Sequence, residues 1–248
     1  MNPSVTTGVI LAAGLGSRLA DRTKEKPKGF IEVEGKSLIE RSISNLLRAG
    51  IQKIIIGTGY LYEHFDSLRE KYPIETLRNE DFSSTGSMYT LYVLRKLINH
   101  PFLLLESDLL YENHALGHLL NDSLDNIILG SGETNSGDEV FIQSSPQNQL
   151  QKMSKGRSVL KHISGELVGI TKLSVKALEA MCSFAEEEYK KGNRAMHYED
   201  ALVGIANEHQ IHVKVIDDLV WCEIDDEKHL SRAVNIIYPK IKFRDLRG

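Results

Sequence analysis

The sequence predicts an α/β fold with a largely parallel sheet, and three observations point to it. Short apolar runs alternate with amphipathic stretches through the first half of the chain. The runs read as buried strands, and the stretches between them carry apolar residues at helical spacing. The order strand, helix, strand, helix is the pattern of a sheet covered by helices.

The elements follow in order. Val9–Ala12, Ile54–Thr58, Phe102–Leu105 and Ile127–Leu129 are the expected strands of the first half. Leu38–Ala49, Tyr62–Lys71, Ser87–Leu97 and Ala115–Asn121 are the expected helices. In Leu38–Ala49, residues Leu38, Ile39, Ile43, Leu46 and Leu47 form one apolar stripe, and Gly50 supplies a stop. The second half changes character. Val140–Gln143, Leu150–Met153 and Leu167–Lys172 are shorter candidate strands between Ser-, Gly-, Asn- and Gln-rich loops, which suggests a small antiparallel addition. Helices are expected at Val175–Lys191 and Glu199–Glu208, strands at His212–Val215 and Trp221–Ile224, and a last helix from Asp226 to about Tyr238. There is no internal repeat or low-complexity linker. The loop at Ser131–Asp138 reads as part of one domain over 1–248, with a nucleotide-binding half to about 130 and an acceptor-binding half over about 131–240.

Composition excludes several classes. Apolar residues make up 41% and charged residues 26%, ordinary values for a globular chain. A net charge of -4 gives no support for nucleic-acid binding. The polar start Met1–Thr7 and the short apolar runs predict neither a signal peptide nor a membrane span. Cys182 and Cys222 lack metal-type spacing, so a reducing cytoplasm is the expected compartment. The histidines, His64, His100, His114, His118, His209, His212 and His229 among them, are scattered and form no HExxH zinc motif, and no Gly-x-Ser-x-Gly elbow is present.

The most informative segment is Gly8-Val9-Ile10-Leu11-Ala12-Ala13-Gly14-Leu15-Gly16-Ser17-Arg18-Leu19, followed by Lys26-Pro27-Lys28. A buried strand feeds a loop of small residues, which lets main-chain N–H groups approach a ligand closely. Cations follow that can neutralise phosphates. A dinucleotide fingerprint would want a third glycine where Leu19 stands, and an acidic residue about 20 residues on. Gly35-Lys36-Ser37 imitates the end of a P-loop, but Phe30 occupies the place of the earlier glycine. What remains is a phosphate cradle formed by Leu11, Ala12, Ala13, Gly14, Gly16 and Ser17, with Arg18 and Lys28 on the phosphates.

These residues resemble the signature of the nucleotidyltransferases that make sugar nucleotides and CDP-alcohols. The likeness runs on through Glu106-Ser107-Asp108 to Glu223-Ile224-Asp225. Within that superfamily the chain is most similar to small cytidylyltransferases acting on phosphocholine or 2-aminoethylphosphonate. Ser83–Tyr89, Leu105–Tyr111 and Ser136–Glu139 carry the likeness to the phosphonate branch. The resemblance implies a Rossmann-like three-layer α/β/α fold with a mixed, mostly parallel sheet. It implies transfer of CMP from CTP to 2-aminoethylphosphonate with release of pyrophosphate, and Mg²⁺ as cofactor.

Site residues follow from the resemblance and from chemistry. Glu106 and Asp108 stand at i and i+2 of a strand end and face one way. Glu223 and Asp225 repeat the spacing. Asp108, Glu223 and Asp225 are the expected Mg²⁺ carboxylates, since Mg²⁺ takes oxygen ligands. Arg18 and Lys28 are the expected catalytic cations. Ser84, Thr85, Gly86 and Ser87, with Glu106, are placed at the nucleotide. From the residues themselves cytosine and uracil stay open; the resemblance favours CTP. The acceptor's ammonium calls for carboxylates and an aromatic face, offered by Tyr198-Glu199-Asp200 and by Asp138. Its phosphonate calls for donors such as Lys152 and Ser136. The basic loop Lys155, Arg157 and Lys161 reads as solvated surface. A single tryptophan, Trp221, turns the choice away from a quaternary ammonium. Phosphocholine or a sugar 1-phosphate is the nearest alternative acceptor, and a non-catalytic nucleotide sensor is the alternative of another class. A homo-oligomer or a fusion to a second enzyme domain fits the same reading.

Overall fold

The computed structural model describes residues 5–246. The polar start read from Met1 lies, through Ser4, outside the described residues. The frame is a nine-stranded mixed sheet. At its centre β1 (Thr7–Ala12) pairs in parallel with β4 (Lys53–Thr58) and β6 (Phe102–Glu106). Two short strands between β1 and β4, β2 (Glu32–Val33) and β3 (Lys36–Ser37), form a separate ribbon around Gly35, whose φ of 71° suits the turn. Beyond β4, β5 (Ile74–Arg78) adds a parallel edge.

The alternation of β1 explains the layers. Val9 and Leu11 point into one apolar cluster, and Ile10 and Ala12 into another. The first cluster is closed by helices Ser87–Leu94, Val175–Lys190 and Tyr198–Ile205, the second by Leu38–Arg48, Glu63–Ser67 and Ala115–Leu120. The fold is therefore the three-layer α/β/α arrangement that the sequence predicts. The stripe of Leu38–Arg48 is buried, with Leu38, Ile39, Ile43 and Leu46 inaccessible; Ser37 caps its start by accepting the Glu40 N–H, and Gly50 follows at φ 88°.

The other side of the sheet is antiparallel. β11 (Gly165–Leu173) runs against β8 (Ile127–Ser131) on one side; on the other, its second half runs against β6 and its start against β9 (Phe141–Ser144). β10 (Leu150–Ser154) pairs with β9, and β12 (His212–Ile216) pairs in parallel with β8. The expected antiparallel addition is thus present, and one of its strands lies inside the sheet. The β11 register shifts between Leu167 and Thr171, around Gly169 at φ 80°.

A last ribbon pairs β7 (Leu109–Tyr111) with β13 (Trp221–Glu223), antiparallel, with Glu223 opposite Leu109. The segment after it forms Glu227–Arg232, a wider π turn at Ala233–Ile237, and Tyr238–Asp245, a longer tail than the sequence reading drew. Its Leu230, Ala233, Ile237 and Ile241 pack with Leu19, Ile31, Leu110 and Ile224. That third cluster holds the opening loop against the final ribbon. Tyr62–Lys71 is broken, with an α turn at Glu63–Ser67 and a 3-10 turn at Leu68–Glu70. No helix among the described residues is long and apolar enough to cross a membrane.

Candidate active site

The carboxyl ends of β1 and β6 open into a cleft of about 430 Å³. Its floor is the loop after β1, where open α/β sheets bind ligands. Leu11, Ala12, Ala13, Gly14, Gly16 and Ser17 all line it. Gly16 takes φ 63°, and a Cβ there would lie 3.2 Å from the Cβ of Lys28 and 3.1 Å from the Thr23 methyl. Glycine at that position lets the loop fold back against Lys28.

Lys28 starts a short turn, Lys28–Phe30, set by the extended Pro27. Its ammonium bonds Asp108 and Asp225 and lies 3.7 Å from Glu223. Burial works against its charge, but Asp108, Glu223 and Asp225 hold its pKa well above the ordinary lysine value. Arg18 donates to Asp225 at 2.7 Å and to Asp138 at 2.5 Å. Burial pushes the Asp225 carboxyl up, yet Lys28, Glu223 and Arg18 outweigh that and hold it below the usual range.

Four carboxylates meet here. Ligand oxygens of Glu106, Asp108 and Glu223 lie within 4.8 Å of one another, and Asp225 joins them through Lys28. The final ribbon makes the meeting possible, because Ile224 N–H donates to Asp108 O at 3.1 Å. Burial, Asp108 and Glu106 push Glu223 up to about 11. Burial, Glu199 and Asp108 push Glu106 up to about 8, and Tyr198 donates to it at 2.7 Å. Asp108 Oδ1 and Asp225 Oδ2 are buried without a partner among the described residues. Each acid thus gives one oxygen to Lys28 and keeps one free. Oxygen donors with unspent lone pairs fit a hard divalent cation such as Mg²⁺. Such an ion would favour the ionised form of these carboxyls.

Beyond this cluster, the bend of β11 matters. A Cβ at Gly169 would lie 3.1 Å from the Glu106 carboxyl carbon, so the glycine leaves room for that group. Tyr198 and Glu199 line the same region, and Glu199 Oε2 is buried without a partner among the described residues. Trp221, the single tryptophan, also lines the wall.

At the far end stand Thr85, Gly86 and Ser87. Gly86 is pressed against the Ala195–His197 segment: a Cβ there would fall 2.1 Å from Met196 O. Ser87 Oγ accepts the Tyr198 N–H at 3.0 Å, so the loop caps a neighbouring helix. Ser136 and Asp138 line the cleft from the loop before β9, and His229 Nε2 bonds Ser136 O at 3.1 Å.

Three expected residues stand elsewhere. Lys152 lies on β10 and donates to Val159 O at 3.1 Å, because alternate residues of that strand face away. Asp200 accepts the His197 N–H at 2.8 Å and serves the helix start. Ser84 bonds back to Asp81 O at 3.2 Å. Conversely, Lys155, expected on the solvated surface, lines the cleft and pairs with Asp138 at 2.6 Å. Phe82, Thr90, Glu166, His197 and Arg232 line it too. Phe82 and His197 directly precede the Ser83–Ser87 loop and the Tyr198-Glu199-Asp200 run that the sequence singles out, whereas Thr90, Glu166 and Arg232 carry no such marker.

Comparison with known proteins agrees with this geometry. The family model of the MobA-like NTP transferase domain matches residues 8–169. The chain is 27% identical over 233 residues to the choline-phosphate cytidylyltransferase of Streptococcus pneumoniae, covering 92% of this chain and 97% of that one. It is 27% identical over 234 residues to the 2-aminoethylphosphonate cytidylyltransferase of Lancefieldella rimae, covering 93% and 92%. Among solved structures, CTP:phosphocholine cytidylyltransferase from Streptococcus pneumoniae superposes with a TM-score of 0.81 at 25% identity, covering 94% of this chain and 99% of that one.

Proposed function

Because this chain belongs to the MobA-like NTP transferase family and is a nucleotidyltransferase, we propose that it transfers CMP from CTP to 2-aminoethylphosphonate. The observation that carries the transfer is the knot of Lys28 with Asp108 and Asp225, set at the end of a small-residue loop with Arg18 beside it. Cytosine is the base named or implied by both curated relatives above, which are cytidylyltransferases.

The reaction joins a phosphonate oxygen to the α-phosphorus and breaks the bond to the β-phosphate, whose oxygen keeps the electron pair and leaves as pyrophosphate. A phosphomonoester's second pKa is about 6, and a phosphonate's lies somewhat higher, so the nucleophile is partly dianionic near neutrality. No general base is required. Arg18 takes the β- and γ-phosphates and the leaving pyrophosphate. Lys28 neutralises charge between the α-phosphate and the incoming oxyanion. Asp108 and Asp225, with Glu223, would hold Mg²⁺, which supplies charge neutralisation on the phosphates when bound.

The acceptor's ammonium is assigned to the acidic end of the cleft, where Glu199 keeps a buried oxygen unpartnered and Glu106 meets Tyr198. A primary ammonium can donate to these oxygens; a quaternary one cannot. The second reading is phosphocholine, favoured by the aromatic walls Tyr198 and Trp221. Pyrophosphate release over CTP, UTP, ATP and dTTP, each against 2-aminoethylphosphonate, phosphocholine and a sugar 1-phosphate, decides. The expected result is highest turnover with CTP and 2-aminoethylphosphonate. Turnover confined to phosphocholine supports the second reading, and turnover confined to a sugar 1-phosphate defeats both.

A further inference from the structure

Asn79 directly follows β5 and is buried, with 1% exposure. It touches no part of the knot around Lys28. Its amide orientation is fixed by its partners. The Asp81 backbone N–H donates to Asn79 Oδ1 at 3.0 Å, and a backbone N–H can only donate. Oδ1 therefore faces Asp81, and Nδ2 faces the opposite way. There it donates to Thr85 Oγ1 at 3.0 Å and to Thr90 Oγ1 at 3.1 Å. Both amide hydrogens are spent, and both threonine hydroxyls act as acceptors.

The two threonines then differ. Thr85 passes its own proton to Asp81 O at 2.9 Å. Thr90 has no second partner among the described residues, and it is 2% exposed. Its side chain cannot turn away, since Gly57 packs against its methyl so closely that a Cβ there would lie 2.5 Å from Thr90 Cγ2. Thr90 lines the cleft at the end formed by Leu11, Thr85 and Gly86. A threonine hydroxyl ordinarily rotates to donate or accept as needed, and so distinguishes little. Here the amide leaves Thr90 one buried proton and one direction in which to spend it.

We propose that Asn79 makes Thr90 an obligate hydrogen-bond donor to the pyrimidine ring nitrogen N3, and that this selects cytosine over uracil. Cytosine N3 carries a lone pair and accepts. Uracil N3 carries a proton and leaves two donors facing each other. A buried donor without an acceptor is costly, and one such mismatch discriminates by about ten- to hundredfold. Thr90 contacts the base; Asn79 acts through it as a positioning residue. The inference rests on the cytidylyl reading above and names the residues that would read the base.

The test measures dissociation constants of CTP and UTP by titration calorimetry, without acceptor, together with melting temperatures. The wild type is expected to prefer CTP. Thr90→Val keeps the shape and removes the hydroxyl, and its CTP-to-UTP preference is expected to fall by about ten- to hundredfold. Thr90→Ser restores most of it. Asn79→Asp offers a carboxylate that takes the Thr90 proton, so selectivity shifts toward UTP. A wild type with no preference for CTP defeats the cytidylyl reading and this inference with it. A wild type that prefers CTP, with a folded Thr90→Val of unchanged ratio, defeats the inference alone. Should Thr90→Val fail to fold, Asn79→Asp decides: an unchanged ratio there overturns the proposal.

Discussion

Arg18 Nη1 lies 2.5 Å from Asp138 Oδ2, so a cation of the opening loop is tied to the loop before β9. Lys155 takes the other oxygen of the same carboxylate at 2.6 Å. Asp138 therefore holds two cations at the cleft wall, where a nucleotide's phosphates would compete with it. The pair is largely exposed and worth about 0–1 kcal/mol. Asp138→Asn is expected to tighten CTP binding by up to about fivefold. Titration calorimetry measures it; weaker binding would mean that Asp138 supports the nucleotide.

Lys28→Met removes the ammonium between Asp108 and Asp225. Turnover should fall about a thousandfold, the scale for losing a preorganised charge at a transition state. The facing carboxylates are then left together, so the melting temperature should drop in chelator and recover with divalent cation. Near-normal turnover would remove Lys28 from the mechanism.

Asp108→Asn and Asp225→Asn each withdraw a carboxylate that keeps one oxygen unpartnered. Both variants are expected to lose most of the divalent-ion affinity, read directly by Mn²⁺ titration with electron paramagnetic resonance. Unchanged Mn²⁺ binding in both would place the ion elsewhere.

Glu166 is buried, and burial raises its pKa although the Thr134 N–H donates to it at 2.9 Å. A carboxyl raised in the folded state holds its proton more tightly there than in the unfolded chain. Stability is full below the ordinary glutamate value, about 4.3, and is lost as pH rises through the raised folded value. Glu166→Gln keeps an acceptor for Thr134 and removes the titration. Its melting temperature should therefore decline less than the wild type's from about pH 4 to about pH 7.

Gly86→Ala would drive a methyl group into the Met196 carbonyl. The expected cost is about 1–3 kcal/mol of stability. Because Gly86 N–H also donates to Arg194 O at 2.9 Å, the displaced segment carries Tyr198 and Glu199 with it. Both nucleotide and acceptor affinity should weaken, measurable as raised KM for each. A change in nucleotide KM alone would uncouple the two elements.

Much of this was legible because local pattern and long-range role coincide. Gly8–Leu19 reads as strand and loop, and Glu106 closes its strand as expected; Asp108 lies in the turn that follows, so the turn and not strand alternation brings it beside Glu106. β5 escaped because Ile74-Glu75-Thr76-Leu77-Arg78 mixes polar residues into a sheet edge, where one side needs no apolar run. Lys152 and Lys155 look alike in sequence. Strand pleat and the turn after β10 send one away from the cleft and the other toward it. His229 and Arg232 belong by sequence to a polar helix, and only the docking of the tail brings them to Ser136 and Thr134. Such placements depend on partners about a hundred residues away, which no local period encodes.

The ribbon of Leu109–Tyr111 with Trp221–Glu223 joins two distant stretches of sequence into one site. Asp108 lies just ahead of its first strand, and Asp225 just beyond its second. On the proposed mechanism, a slip of this two-strand register by one residue would turn Glu223 away and part the carboxylates that flank Lys28.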